Sequence, residues 1–442
     1  MSTTTTQLKP SLDPNAPAPV PAGFKRTEVG VMPEDWDVQT LGSLTTRMTN
    51  GFVGTATTAY TESDDGVLYI QGYNVKENGF NLHGIKRVSK SFHAQHQKSC
   101  LLAGDLLTIQ TGDIGVTAVV PPSLAGANCH ALVISRLDTR ASDPDFLCQY
   151  FNSAVGRAAF KKIETGSTMK HLNVGDMVRL EVASPSLDEQ RAIAEALLDV
   201  DRLIMALAKL IAKKQATKRG AMQQLLTGKT RLPGFSGEWR HCTLGEMGQL
   251  FKGKGIRRDD VRSDGVACVR YGELYTRYHN YVVNLISRVS RMTATDAQPI
   301  RYGDLLFTGS GETAEEIGKC VAYVGHESAV AGGDIVILRI AGGHDAVFLG
   351  HLLNLDRVAH QKAALGQGDA VVHISSRALA QIELEIPLPA EQSAIASVLV
   401  DMDAEIEALS SRLAKTRDIK RGMMQELLTG RTRLVPPKKT AA

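Results

Sequence analysis

No run of eighteen apolar residues occurs in this 442-residue chain, so nothing in it reads as a membrane-spanning helix. The opening stretch, MSTTTTQLKPSLDPNAPAPVPAGF, lacks the apolar segment of a secretory signal, and its Thr, Pro and Ala content predicts disorder. Cysteine is scarce. Cys100, Cys129, Cys148, Cys242, Cys268 and Cys320 include no C-x-x-C pair. A zinc site is therefore not expected, and reduced thiols in a cytoplasmic protein are the default reading. Neither sign of charge dominates: 50 Lys and Arg against 47 Asp and Glu leave a formal net charge of +3. That permits a nucleic-acid partner without demanding one.

Catalytic signatures are missing too. TGKT at 227–230 tempts a phosphate-loop reading, but Gln223 stands where that loop needs glycine, and a helix pattern precedes it. FTGSG at 307–311 has the spacing of an S-adenosylmethionine glycine loop. The strand end that an amino-methyltransferase also needs has no match, since VVPPSL at 119–124 lacks its polar first residue and its aromatic. No G-x-S-x-G or H-E-x-x-H occurs in both halves of the chain. No metal site is expected, and His171 and His373 read as hydrogen-bonding loop histidines.

What the chain does have is duplication. KRGAMQQLLTGKTRL (218–232) returns as KRGMMQELLTGRTRL (420–434), with twelve of fifteen residues identical at an offset of 202. At the same offset LDEQRAIAEALLDVD (187–201) returns as PAEQSAIASVLVDMD (389–403), and FLCQYFN (146–152) as FLGHLLN (348–354). EDWDVQTLGSL (34–44) matches GEWRHCTLGEM (237–247), and GDLL at 104–107 recurs at 303–306. The chain is two copies of one unit of about 200 residues.

Each copy ends in a helix. In the first, Ile193, Leu197, Val200, Ile204, Leu207 and Ile211 alternate spacings of four and three. In the second, Ile395, Leu399, Met402, Ile406, Leu409 and Leu413 repeat them. This is a heptad seam, lapsing over 213–219 and resuming at Met222 and Leu225 in the first copy. Asp188, Glu189 and Glu391 suit helix starts, and Gly228 and Gly430 suit helix stops. A span of about 189–226 is roughly 55 Å of helix. Two such helices predict an antiparallel pair acting as a stiff spacer; the alternative is that each covers its own globular part. The remainder of each copy alternates short strands with glycine turns. GVLYIQGYNV (66–75) corresponds to GVACVRYGEL (265–274), and ALVISRL (131–137) to DIVILRI (334–340). Alike strands with unlike loops suggest one scaffold presenting two recognition surfaces.

This order of phrases resembles the specificity subunit of bacterial type I restriction-modification enzymes. Its carriers are GFKRTEVGVMPEDW with TLGSL, VRYGELYTRY, GDLLFTGSG, PSLDEQRAIAEALLDVD and KRGAMQQLLTGKTRLPGFSGEW, and it covers about residues 24 to 434. The resemblance implies an α+β fold with an internal pseudo-twofold repeat: two target-recognition domains of mixed sheet and helices, joined by two long antiparallel helices. Its segments would be a disordered extension (1–32), a first target-recognition domain (33–186), a central spacer helix (187–232), a second domain (233–388), a C-terminal spacer helix (389–434) and a tail (435–442). It implies a split, asymmetric target in double-stranded DNA, two docked modification (methyltransferase) subunits and two restriction subunits for translocation and cleavage. The chain itself would catalyse nothing and hold no cofactor; S-adenosylmethionine, ATP and Mg would belong to the partners. Two readings compete with it: an adenine methyltransferase that reads its own site, and a helical scaffold without a DNA role.

Base edges are read by polar and cationic side chains on loops, and phosphates are held by basic groups. By loop position and residue type the candidates in the first copy are Asn50, Thr55, Thr57, Asn74, Lys86, Arg87, Thr111, Lys170 and His171. In the second they are Lys252, Lys254, Arg257, Arg258, Tyr275, Arg277, Tyr278, Ser310, Gln367 and His373.

Overall fold

The computed structural model describes residues 20–168, 170–311, 313, 316–368 and 371–436. The chain divides into two compact units. The first comprises Met1–Leu207 with Arg412–Ala442, the second Ala208–Ser411. Two helices of 39 residues each, Leu187–Leu225 (the central helix) and Pro389–Leu427 (the C-terminal helix), contribute a segment to both units.

In the first unit an antiparallel sheet runs Thr117–Val119, Leu106–Ile109, Leu132–Leu137, Thr45–Asn50. Successive residues of its strands feed opposite faces. Leu106, Val133 and Leu137 join one core with Phe146, Tyr150 and Phe151, while Leu107, Leu132 and Ile134 join another. The GVLYI phrase forms Val67–Ile70, set between Asn128–Cys129 (parallel) and Lys86–Val88 (antiparallel).

The second unit repeats the plan with five strands: Gly248–Lys252, Ile335–Ile340, Leu305–Thr308, Cys320–Tyr323, Tyr281–Val282. Leu305, Phe307, Val336 and Leu338 enter one core; Leu306, Ile335 and Ile337 enter the other. The repeated GDLL phrase has a shared cause. Asp105 and Asp304 are buried, and each forms an ion pair of 2.8 Å with an arginine of the central strand, Arg136 and Arg339 respectively. Each also caps the backbone N–H three residues upstream, at Leu102 and Arg301.

The seam positions are buried or half-buried throughout. Their partners differ along the helix. Ile193 and Leu197 join the first unit's globular core together with Leu427 and Leu428 from the end of the C-terminal helix. Ile395 and Leu399 do the same in the second unit, with Leu225 and Leu226. Both expected arrangements therefore coexist: the start of each helix covers its own globular part, and the end of the other helix packs there beside it. Ion pairs give the direction of these segments. In the first unit Lys420 meets Asp201 at 2.7 Å. In the second, Lys214 meets Glu405 at 2.7 Å and Lys218 meets Asp403. As numbering rises along one helix it falls along the other, so within each unit the segments run antiparallel.

The expected disorder over 1–32 is corrected in part. Phe24–Thr27 and Gly30–Pro33 form a hairpin, and Met32 is buried. Residues 1–19, and 437–442 of the tail, lie outside the described residues. Among the described residues no helix is long and apolar enough to cross a membrane.

Candidate nucleic-acid interface

Repeated phrases that looked like separate motifs close onto one another. Gln190 accepts from the backbone N–H of Asp143 at 2.9 Å and donates to the carbonyl of Pro185; Gln392 does the same with Asp345 and Pro387. Glu189 takes two hydrogen bonds from Arg433, whose guanidinium lies 5.8 Å from the Trp36 ring centroid. Glu391 takes two from Arg231, which lies 5.9 Å from that of Trp239. Gly228 and Gly430 turn the chain at φ +68° and +69°. A Cβ on Gly430 would come within 2.3 Å of Pro33, so glycine is required there for conformation and for space. These clamps anchor the helix ends; the loops are left to vary.

The loops carry the candidate contacts. In the second unit a short ladder pairs Ser310 with His373, Gln367 bridges to His373, and the Ile374 N–H donates to the Gly309 carbonyl at 3.0 Å. His373 Nδ1 lies 2.9 Å from Ser310 Oγ. Lys252, at the end of its strand, joins Gln367 and His373 around a cavity of about 180 Å³. The first unit repeats this frame: Thr165 bridges to His171, and Leu172 N–H donates to the Gln110 carbonyl at 3.0 Å. Thr111 and Lys170 thereby come onto one pair of loops with His171. Lys170 pairs with Glu164 at 3.2 Å.

Thr55, Thr57, Lys86, Lys254, Arg257, Arg258 and Arg277 are exposed; Asn50 and Arg87 are half-buried. Arg87 spends a donor on the Gly66 carbonyl at 2.7 Å. Arg257 and Arg258 lie at the turn Arg258–Asp260. Two assignments are corrected. Asn74 is fully buried, accepting from Gln71 N–H and donating to the Asn81 carbonyl, so it braces the loop from inside. Tyr278 is buried in the second unit's core and its hydroxyl accepts from Ile286 N–H. Ser310 is also buried, but it orients His373. Tyr275 is half-buried and donates to the Ser310 carbonyl at 2.8 Å.

A larger cleft of about 1160 Å³ in the second unit is lined by Arg277, Tyr275 and Lys319 on one side and by Lys218, Arg219 and Asp403 on the other. Behind it His351 is completely buried. Its Nδ1 faces Asn280 Nδ2 at 2.7 Å, while its Nε2 has no hydrogen bond among the described residues and stands 3.9 Å from Asp403. Burial, aided by the nearby Lys218 charge, pushes its pKa down to about 3. Gln149 holds the same place in the first unit and donates to Asp201 at 2.7 Å.

Asp334 escaped the sequence reading. It immediately precedes a central strand, lines the 180 Å³ cavity and adopts φ +57°. Nothing in the string GGDIVILRI separates it from an ordinary turn aspartate.

Comparison with known proteins agrees with this architecture. Residues 33–215 match the family model described as the type I restriction modification DNA specificity domain. The putative type I restriction enzyme MjaX specificity subunit of Methanocaldococcus jannaschii is 22% identical over 93% of this chain and 97% of its own length. The MjaVIII specificity subunit of the same organism is 22% identical over 68% of this chain and 73% of its own. Among solved structures, the S subunit of a type I restriction-modification system from M. genitalium superposes with a TM-score of 0.56 at 16% identity, covering 89% of this chain and 96% of that one. A structure from a study of assembly and conformational transition of the type I R-M system gives 0.55 at 17% identity, covering 91% and 99%.

Proposed function

We propose that this chain acts as a specificity subunit of the type I restriction-modification kind it is similar to, and that its two units each read one half of a split, asymmetric DNA target. A specificity subunit contributes no catalysis of its own. It works in the cytoplasm, docking two methyltransferase subunits and two restriction subunits, and those partners bring S-adenosylmethionine, ATP and Mg. The two long helices serve as spacer and docking surface.

The observation that supports this reading is the contrast between frame and rim. The central sheet strands, the helix clamps and the loop bridge recur in both units, while the side chains on the rim differ: Asn50, Thr165 and Ala131 in one, Lys252, Gln367 and Asp334 in the other. A shared frame with unlike polar rims suits two readers of different sequences. The test exchanges residues 233–388 for the equivalent segment of a relative and maps methylated adenines made by the complex. One half of the target should change. A change in both halves, or in neither, refutes the modular reading. Methyl transfer by the purified chain alone would favour the enzyme reading instead.

A further inference from the structure

The rim of the second unit has a composition that narrows what it reads. Lys252 ends an outer strand, and the next residue, Gly253, donates its N–H to the Ile335 carbonyl at 2.8 Å. Asn50 holds that place in the first unit, where Gly51 donates to Leu132 at 2.8 Å. Asp334 and Ala131 each stand just before the central strand, and both lie in the left-handed region at φ +57° and +45°. The unusual backbone is thus a property of the frame, which holds equally for a methyl group and for a carboxylate. Non-glycine residues held there are uncommon and concentrate at functional positions.

Lys252 and Asp334 line the same cavity and are exposed, yet neither has a side-chain partner among the described residues. The Gln367 side chain likewise has no hydrogen-bond partner among the described residues, and His373 meets Ser310 through Nδ1. Of the apolar lining residues, Ile335, Val336 and Ile374 are buried in the floor, while Leu365 and Ala378 are half-buried. The volume, about 180 Å³, is below the ~300–1,000 Å³ of small-molecule pockets and suits the edge of a base pair. In the major groove guanine offers the acceptors O6 and N7, and cytosine offers the N4 amino donor. Lysine pairs most often with guanine O6 or N7 and aspartate with cytosine N4–H, so a lysine and a carboxylate lining one cavity complement a G·C pair.

Resting on the DNA-recognition reading above, we propose that the second unit reads one G·C pair in the major groove. Lys252 donates to guanine O6 or N7, and Asp334 accepts from cytosine N4–H. The first unit, with Asn50 and Ala131 in these places, does not read G·C there. The test uses the full chain assembled with its methyltransferase subunits, and measures binding to duplexes carrying each base pair at every target position. Lys252→Gln and Asp334→Ala should both relax the same single G·C position, by roughly ten-fold or more, and leave the other half-site unchanged. Alanine at 334 repeats what Ala131 already does, so the backbone tolerates it. Grafting Asn50→Lys with Ala131→Asp should give the first half-site a G·C preference at one position, which decides the matter even if the second-unit variants assemble poorly. Loss of affinity on all sequences alike in Lys252→Gln, with a salt slope smaller by about one, would make that lysine a phosphate contact and overturn the assignment. Relaxation of an A·T position, or of two different positions, overturns it as well. A parent complex with no sequence preference at all refutes the recognition reading, and this proposal with it.

Discussion

Removing the guanidinium of Arg433 is the sharpest test of how the repeat is held. It donates to both oxygens of Glu189, at 2.5 and 2.7 Å, and to both oxygens of Asp35 at 2.9 Å. The Glu189 side chain is 2% exposed, and in Arg433→Ala it would keep one donor, Trp36 Nε1 at 3.1 Å. Breaking a buried pair by deleting one partner costs about 3–5 kcal/mol, because the remaining charge is left uncompensated. Arg433 is itself 20% exposed and Asp35 30%, so solvent screens the second pair to under about 1 kcal/mol. The lower end, about 3 kcal/mol, is the expected loss for the first unit. At roughly 2–4 °C per kcal/mol for a unit of this size, its melting transition should fall by about 6–12 °C. Scanning calorimetry on the purified chain measures this. Arg433→Met with Glu189→Gln should recover most of the loss, since no buried charge remains and glutamine still accepts from Trp36. If Arg433→Ala melts within 1 kcal/mol of the parent, or the paired replacement is no better than the single one, the clamp is not what holds the helix end.

The mirror variant Arg231→Ala should cost the second unit at least as much, because Trp239 Nε1 is unpartnered and gives Glu391 no replacement bond; calorimetry of the same kind checks it. His351 is held neutral, with its pKa lowered to about 3 against 6.5 unfolded, so the unfolded state binds the extra proton between those values. Stability should therefore drop by about 1.4 kcal/mol per pH unit as pH falls from 6.5 toward 3, and His351→Gln should remove that slope in urea titrations. Arg433 holds Asp35 below the usual carboxylate range. Its contribution is present above about pH 4 and fades as pH drops through the lower folded value; in Arg433→Ala that acid-side fading should vanish from the same titrations. Ile204→Asp and Ile406→Asp place a charge on half-buried seam positions and should each lower stability by roughly 1–3 kcal/mol. Normal melting and normal co-purification with the methyltransferase subunits would refute the seam.

Much of the frame was legible because it is periodic or repeated. The heptad spacing found the central helix to within two residues of its ends, whereas the expected spacer segments 187–232 and 389–434 each run seven residues past the last helical leucine, and the glycines 228 and 430 lie in the turns that follow. Continuous apolar runs marked the central strands, since neighbours along them enter different cores. The loop residues were harder. Asn74 and Tyr278 carry the same functional groups as surface readers, and only packing shows that those groups are already spent inside. Asp334 was invisible because a left-handed φ leaves no mark on an isolated aspartate. The hairpin at Phe24–Thr27 and Gly30–Pro33 was hidden by a Pro- and Ala-rich approach that looks like a loose arm.

By itself the sequence determined that there are two copies, that each ends in a long amphipathic helix, and that the copies differ mainly in their loops. Those properties live in spacing and identity along the chain, and short-range physics reads them directly. Tertiary structure alone decided which repeated phrases touch: the glutamate at each helix start closes on the arginine that follows the other helix, some 160 to 244 positions away. It also decided which polar side chains face solvent unspent. Both depend on what folding brings alongside, and a partner's distance in space is not encoded in its distance along the chain.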